Sequence, residues 1–537
     1  MYALELTESY VPAQQTTDIR DTTVGGLMRD IAARYPDNPA LTEITFEGLA
    51  GRRWTYSELL ADAERMAHAL GTRFAPGERV CVWSPNTPEW VLMEYACGLA
   101  GLVLVTANPA YQTKELAYVL EQSKSVGLFL VESYRGNPMA EIGAAAVDGN
   151  TAIRAVVDMN DHAALFAHGD WAGTLPEIGA NDPAQIQYTS GTTGFPKGAV
   201  LSHRALTNNA RLFFDRFEAP DETVFANFMP MFHTSGCGMA VLGALQRAKP
   251  IVLFNVFDPV AVLRAIESER ITTFIAVPTM LVAMLDVLKV ESFDLSSLQV
   301  VISGGSMVPP ELVRNVTQAM DCAFQIVYGQ TETAPLITQH HLGESEDDLC
   351  NTIGQPMPCT EVSIRSVDDN SIMALGEQGE ICVRGYCLMI EYNDNPEATA
   401  ATIDADGWLH TGDLGRMDGR GYCAITGRVK EMIIRGGENH FPAEIENVLL
   451  EHPSVSEVAV VGLPDPKWGE IIACFARPEE GERIDPDTLK SHCRAQLSPQ
   501  KTPTVWCQVA DFPLTGSGKI RKFALRDGFV AGEYETL

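Results

Sequence analysis

Eleven consecutive residues, Tyr188-Thr189-Ser190-Gly191-Thr192-Thr193-Gly194-Phe195-Pro196-Lys197-Gly198, bring together four aliphatic hydroxyls, three glycines and a lysine. Glycine lets backbone N–H groups approach an anion closely, and a concavity of such donors binds phosphate. The Thr and Ser hydroxyls add donors, and Lys197 adds a compact positive charge. Gly, Ser, Thr and Pro are also ordinary loop residues, but a solvated loop has no need of this density of donors. The segment is not a P-loop: that pattern ends Gly-Lys-Ser/Thr, and this one ends Pro196-Lys197-Gly198.

Further segments carry chemistry that their residues alone leave open. Val327-Tyr328-Gly329-Gln330-Thr331-Glu332-Thr333 ends an apolar run with a glycine and then hydroxyl and carboxylate groups. It suits a nucleotide with its metal, Glu332 offering the oxygen that Mg²⁺ prefers, and it also suits a helix cap with an acidic first turn. In Trp408-Leu409-His410-Thr411-Gly412-Asp413 the carboxylate either accepts both vicinal hydroxyls of a ribose or closes a turn. Arg428 by itself is a surface charge, and His233, in the apolar Phe228–Thr234 segment, reads by itself as a satisfied core histidine. Lys519 stands in Pro513-Leu514-Thr515-Gly516-Ser517-Gly518-Lys519-Ile520. Such a loop either delivers one ammonium to a closing site or leaves a solvated lysine beside a turn.

Taken in order, these segments resemble the adenylate-forming superfamily of acyl- and aryl-CoA synthetases, luciferases and the adenylation domains of peptide synthetases. The resemblance runs through to Lys519 and covers nearly the whole chain. It implies an acid–thiol ligase whose partners are a small-molecule carboxylic acid, ATP and coenzyme A, with Mg²⁺ as cofactor. Carried over residue by residue, it assigns Thr189, Ser190, Gly191, Thr192, Thr193, Gly194 and Lys197 to the phosphates, with Thr192 also catalytic. Gly305, in Gly304-Gly305-Ser306, lies beneath adenine, Tyr328 stacks on it, Gly329, Gln330 and Thr331 line the nucleotide, and Glu332 holds the magnesium. Asp413 takes the ribose hydroxyls and Arg428 contacts ribose or phosphate. His233 sits on the acyl-binding wall, where its ring moves aside or orients the carboxylate. Lys519 clamps the carboxylate and α-phosphate during adenylation. Rotation about Lys430 then withdraws it and brings Arg435-Gly436-Gly437-Glu438 in, the glycines leaving room for pantetheine. Trp468 packs on CoA by resemblance, although an amphipathic core tryptophan has the same local sequence.

The elements that must position these groups follow from patterning. At 537 residues the chain is too long for one core. Thr55 and Glu58 form a capping box, and Leu59, Ala63, Met66, Ala67 and Leu70 recur at helical spacing behind it. Strands are expected at Arg79–Trp83, Leu102–Val105 and Val126–Val131, with a helix from Pro88 to Ala100. After the hydroxyl-rich loop come a helix near His203–Phe213 and strands near Val224–Phe228, Pro250–Phe254, Thr273–Ala276 and Gln299–Ile302. This alternation favours parallel sheets covered on both faces. Short strands between Gly376 and Ile425 form a β subdomain. Beyond Gly427-Arg428-Val429-Lys430 a small α+β unit holds helices at Ala443–Leu450 and Asp487–Leu497 and strands at Glu457–Val461 and Ile471–Ala476. The expected fold is therefore α/β: a large N-terminal domain, residues 1–428, of two doubly wound α/β subdomains plus a small β subdomain, followed by a small mobile α+β domain, residues 429–537, hinged at Lys430.

Composition narrows the partners. A formal charge of −31 argues against nucleic acid, whose phosphates need basic patches. The longest apolar stretch, Tyr95 to Val105, is too short to span a bilayer, so no integral membrane association is expected. With no basic, apolar leader at Met1–Glu5, a cytoplasmic enzyme is the expectation, and a homodimer is its expected assembly. The twelve cysteines show no Cys-x-x-Cys and read as buried small hydrophobes.

The acid is read from departures within the family. Thr234 stands where peptide-synthetase domains place an aspartate for the substrate ammonium, and Gly329 where acetate-type synthetases fill the pocket with tryptophan. No Lys or Arg occurs in Phe225–Leu242, Val301–Leu312 or Tyr328–Gln339, so a second substrate carboxylate would lack a counter-ion. Met231, Met239, Met307, Cys237 and Ala334 suggest an adaptable apolar wall. A medium- to long-chain or bulky alicyclic acid is expected, and an aryl or cinnamate-type acid is the runner-up. The same motifs would also serve an acyl-AMP ligase that loads a carrier protein, or a nucleotide-binding homologue without activity.

Overall fold

The computed structural model describes residues 1–167, 173–189, 196–218, 220–435, 438–479, 481–514 and 520–537, with backbone alone at 438 and 439. They divide into two compact units. The first holds Met1, Pro12–Val362 and Val383–Leu409, and the second Tyr2–Val11, Ser363–Cys382 and His410–Leu537.

The first unit bears out the expected strand–helix alternation and contains two mainly parallel sheets. One has the strand order Glu391–Tyr392, Lys197–Ser202, Pro183–Thr189, Val103–Thr106, Arg79–Trp83, Gly127–Leu130, Ala155–Asp158. From Pro183–Thr189 onward its strands are parallel, and the two at the other edge run antiparallel. The second sheet runs Gln355–Pro356, Leu336–Gln339, Ala323–Gly329, Val300–Gly304, Thr273–Ala276, Phe225–Asn227, Ile251–Phe254, Pro39–Ile44, Ala50–Thr55. It is parallel between Ala323–Gly329 and Pro39–Ile44. Val80, Cys81, Val82 and Trp83 are wholly buried, as strands covered on both faces require.

The helices start where their caps direct. Thr55 accepts the Glu58 N–H and Glu58 accepts the Thr55 N–H, opening the helix Tyr56–Gly71. Thr87 caps Pro88–Ala100, whose residues are all buried, so this helix lies within the core rather than on its surface. The segment after His233 departs from a plain wall. Ser235–Leu242 is a π-helix, in which the Met239 N–H reaches the Thr234 carbonyl five residues back. Gly236 is required there, because an added Cβ would lie 2.3 Å from the Pro230 carbonyl oxygen.

In the second unit the strands expected at Glu457–Val461 and Ile471–Ala476 are the middles of a longer hairpin, Val455–Asp465 against Gly469–Pro478. Ile433–Arg435 and Val505–Gln508 both pair with Gly469–Pro478, the first antiparallel and the second parallel, and helices Pro442–Leu450, Pro486–Gln496 and Lys522–Val530 complete the α+β fold. The glycine-punctuated segment does not form a sheet by itself: its strands Gly379–Gly385, Leu409–Met417 and Cys423–Arg428 join Tyr10–Val11 and Thr360–Arg365 in a five-stranded sheet ordered Tyr10–Val11, Thr360–Arg365, Gly379–Gly385, Leu409–Met417, Cys423–Arg428. Among the described residues no helix is long and apolar enough to cross a membrane. Ten of the twelve cysteines are buried, and Cys322 and Cys350 are half-buried.

Candidate active site

Open α/β sheets bind ligands beyond the carboxyl ends of their parallel strands. In the first unit the expected residues stand at those ends. Thr189 closes Pro183–Thr189, Gly304 and Gly305 close Val300–Gly304, Tyr328 and Gly329 close Ala323–Gly329, and His233 follows Phe225–Asn227. A cavity of about 340 Å³ lined by Arg79, Val103 and Pro183 lies at the amino ends of its strands instead, the wrong end for this chemistry.

Ser190, Gly191, Thr192, Thr193 and Gly194 lie outside the described residues, but the feet of their loop are defined. Thr189 and Lys197 are directly paired across antiparallel strands, as are Tyr188 and Gly198. Tyr118 donates to the Pro196 carbonyl at 3.1 Å, and Tyr188 donates to Gln122 Oε1 at 2.5 Å. The loop therefore starts and ends at one fixed point.

At that point Lys197 meets Glu332 through a residue that sequence reasoning missed. The Tyr392 hydroxyl donates to Glu332 Oε1 at 2.5 Å, and Lys197 Nζ lies 4.8 Å from the centroid of the Tyr392 ring. Tyr392 is set by pairing with Ala199 on the lysine's own strand. Its neighbour Asn393 locks that edge by donating to the Gln122 carbonyl at 2.7 Å and accepting at its own carbonyl from Gln122 Nε2 at 2.5 Å. Burial, and then the charge of Glu332, push the Tyr392 hydroxyl above the ordinary phenol range, so it stays a donor. Glu332 is 9% exposed, and its carbonyl accepts the Met389 N–H. Among the described residues no cation is paired to its carboxylate. A buried carboxylate with a neutral donor on one oxygen is an oxygen site that fits Mg²⁺.

Tyr328 is buried, and Gly305 has φ +79°, the left-handed region that glycine adopts without strain. Gln330, Thr331 and Thr333 fold into a tight turn in which the Thr333 hydroxyl donates to the Gln330 and Pro335 carbonyls. This turn gives Gly329 a role other than opening the acyl pocket. A Cβ there would lie 1.9 Å from the Pro335 carbonyl oxygen, so the backbone as it runs in this chain requires glycine.

His233 is half-buried, and its Nδ1 accepts the Ser235 backbone N–H at 3.2 Å. The same nitrogen lies 3.0 Å from Ser235 Oγ, and a neutral ring that accepts at Nδ1 carries its proton on Nε2. Asn86 fixes the approach by donating to the Met229 carbonyl at 2.9 Å and accepting the Met231 N–H at 2.8 Å. Met231, Cys237, Met239 and Ala334 are buried, whereas Met307 is 42% exposed.

In the second unit Asp413 and Arg428 are direct cross-strand partners, with Arg428 Nε 3.0 Å from Asp413 Oδ1. The Asp413 turn is tied to the neighbouring strand. Glu380 Oε1 accepts the Gly412 N–H at 2.8 Å, and the Thr411 hydroxyl donates to the Ile381 carbonyl at 2.7 Å. Glu380 Oε2 is also 2.8 Å from His410 Nδ1, and Cys382 Sγ is 3.5 Å from the same atom. The hydrogen bonds to Cys382 and Glu380 raise His410 to about 10, while burial pushes the Cys382 thiol up. At neutral pH the trio is an imidazolium beside a thiol, with Glu380 as counter-charge.

Gly436, Gly437 and Lys519 lie outside the described residues. Trp468 does not sit in the core: it stands at the hairpin tip, 43% exposed, because Asp465 Oδ1 accepts both the Lys467 and Trp468 N–H groups and folds the turn outward. Arg435 Cζ is 5.7 Å and Lys467 Nζ 4.9 Å from its ring centroid, a cation-flanked aromatic suited to an anionic nucleotide.

Comparison with known proteins follows the same outline. The family described as AMP-binding enzyme matches residues 28–393, and the AMP-binding enzyme C-terminal domain matches residues 444–519. The mitochondrial medium-chain acyl-CoA ligase ACSF2 of Bos taurus is 33% identical, with 97% of this chain and 89% of that protein covered. ATP-bound MatB from Rhodopseudomonas palustris is 27% identical with a TM-score of 0.85, covering 95% of this chain and 99% of that one. The fatty acyl CoA synthetase of Mycobacterium tuberculosis is 30% identical with a TM-score of 0.74, again covering 95% and 99%.

Proposed function

This chain belongs to the AMP-binding enzyme family, and on that premise we propose that the acid it activates is a medium- to long-chain or bulky alicyclic carboxylic acid. The reaction class is ATP-dependent acid–CoA ligation of the AMP-forming type. A substrate carboxylate oxygen attacks the α-phosphorus of ATP, the bond to the pyrophosphate oxygen breaks, and an acyl-adenylate forms. The CoA thiol then loses its proton, its sulfur attacks the acyl carbon, and the carbon–oxygen bond to AMP breaks to leave the thioester.

We assign Lys197 and the hydroxyl-rich loop to the phosphates, Tyr328 and Gly305 to adenine, and Asp413 with Arg428 to ribose. Glu332 would hold a magnesium ion, which supplies charge neutralisation on the phosphates when bound. In its Nε2–H form His233 donates to the substrate carboxylate and so orients it without removing a proton. Lys519 acts in the first half-reaction, and Arg435, Gly436, Gly437 and Trp468 act in the second, with Lys430 as hinge. The sharing of Trp468 between Arg435 and Lys467 supports placing CoA there.

One observation carries the substrate reading. The segments Phe225–Leu242, Val301–Leu312 and Tyr328–Gln339 contain no Lys or Arg, and the side chains of Met231, Cys237, Met239 and Ala334 are buried. A second carboxylate would therefore be desolvated without a counter-ion. The test is AMP and thioester formation across straight-chain acids from two to sixteen carbons, with cyclohexane carboxylate, benzoate, cinnamate and malonate. We expect kcat/KM to rise from the two-carbon acid to the medium chains and malonate to be inert. Preference for benzoate or cinnamate would replace the aliphatic reading, and turnover of malonate would reject the apolar pocket.

A further inference from the structure

We propose that Tyr392 is a positioning residue for adenylation, holding Glu332 ready for a divalent cation with its hydroxyl while its ring keeps Lys197 from pairing with that carboxylate. The inference rests on the ligase reading above and adds a residue to it. Glu332 and Lys197 are of opposite charge and belong to one small region of the first unit. Left alone, such a pair collapses into an ion pair, and each would then be spent on its partner. The structure shows a different arrangement: Lys197 Nζ lies over the Tyr392 ring at 4.8 Å from its centroid, and among the described residues no carboxylate forms an ion pair with it. Glu332 Oε1 takes the Tyr392 hydroxyl at 2.5 Å.

The two contacts reinforce each other. A phenol that donates toward a carboxylate becomes more electron-rich, and a richer ring face holds an ammonium more strongly. The donor is neutral, so Glu332 keeps its full negative charge while its orientation is fixed by a charge-assisted hydrogen bond. Tyr392 itself has little freedom. It is 5% exposed, its backbone is paired to Ala199, its N–H donates to the Thr399 hydroxyl at 2.9 Å, and the next residue, Asn393, is tied to the Gln122 carbonyl. Lys197 and Glu332 are thus separated by a rigid spacer, one reserved for the phosphates and the other for the cation.

The test is Mn²⁺ affinity, read by electron paramagnetic resonance on the full-length protein with a non-hydrolysable ATP analogue, for wild type, Y392F, E332Q and the double variant. Y392F keeps the ring and removes only the hydroxyl. We expect it to weaken Mn²⁺ binding by roughly tenfold, the value of one hydrogen bond to a charged group. In the E332Q background the same change should have no further effect. Y392L, which removes the ring as well, should in addition lower affinity for the ATP analogue measured without metal, as Lys197 turns to Glu332. Thioester formation from supplied acyl-adenylate should persist in Y392F, showing an intact fold. Mn²⁺ affinity within twofold of wild type in Y392F, or an equal loss in the presence and absence of Glu332, would overturn the proposal. If the wild type itself releases no acid-dependent pyrophosphate, the ligase reading fails, while the Mn²⁺ comparison still decides the role of Tyr392.

Discussion

Two carboxylates assigned to the nucleotide are prepared in opposite ways. Glu332, in the first unit, is held by a neutral phenol and keeps its charge uncompensated among the described residues. Asp413, in the second, sits 3.0 Å from the Arg428 guanidinium, with its turn anchored by Glu380 and Thr411. The difference matches what each would bind. A metal ion needs a carboxylate whose charge is still available, whereas ribose hydroxyls are neutral donors that need only a fixed acceptor. An arginine beside that acceptor supplies compensation. The aspartate and glutamate thus share a chemistry in sequence, and their partners separate them in the fold.

Removing Glu332's charge should have the largest effect. Glu332→Gln should reduce acid-dependent pyrophosphate release on the order of 10²–10³-fold, the cost of one preorganised electrostatic partner, and spare thioester formation from supplied acyl-adenylate. Loss of both half-reactions alike would mean that Glu332 is not specific to adenylation. Arg428→Met removes the guanidinium that stands beside Asp413. The KM for ATP should rise about tenfold while the Mg²⁺ requirement stays unchanged, and Arg428→Lys should fall between, keeping charge but losing the fork. An unchanged KM in Arg428→Met would remove the arginine from the comparison.

The smallest effect concerns the anchoring of the Asp413 turn. His410 is raised in the fold from its ordinary 6.5 to about 10, chiefly by Cys382 and Glu380, so its contribution to stability is complete below pH 6.5 and is lost as pH climbs toward 10. Wild type should exceed His410→Asn in thermal midpoint by roughly 2–4 °C at pH 6, consistent with about 1 kcal/mol for such contacts, and the gap should close by pH 10. A gap that widens with pH would reverse the assigned charge state.

Local signals in the sequence went far. The Thr55–Glu58 capping box, the Pro88–Ala100 helix and the strands Arg79–Trp83 and Thr273–Ala276 were legible because caps and apolar runs act over a few residues. Tyr392 was not, since it stands 60 residues from Glu332 and reaches it only through an edge-strand pairing with Ala199. The π-helix after His233 was hidden because its cause is the close approach of Gly236 to Pro230, a packing fact rather than a periodicity. Trp468 had two readings in sequence, a CoA-packing aromatic and a core tryptophan, and Asp465 turns it outward, away from the second. Gly329 carried two meanings, and the one that the backbone enforces was invisible without the Pro335 carbonyl beside it.

The contrast between the two carboxylates is tested most directly by measuring initial pyrophosphate release for Glu332→Gln and Asp413→Asn side by side, with ATP and 2′-deoxy-ATP, across a Mg²⁺ titration. A crossed result is expected. Glu332→Gln should need far more Mg²⁺ yet keep the wild-type preference for ATP over 2′-deoxy-ATP, and Asp413→Asn should keep the wild-type Mg²⁺ midpoint and lose that preference. Both variants shifting together in metal and in sugar discrimination would contradict it.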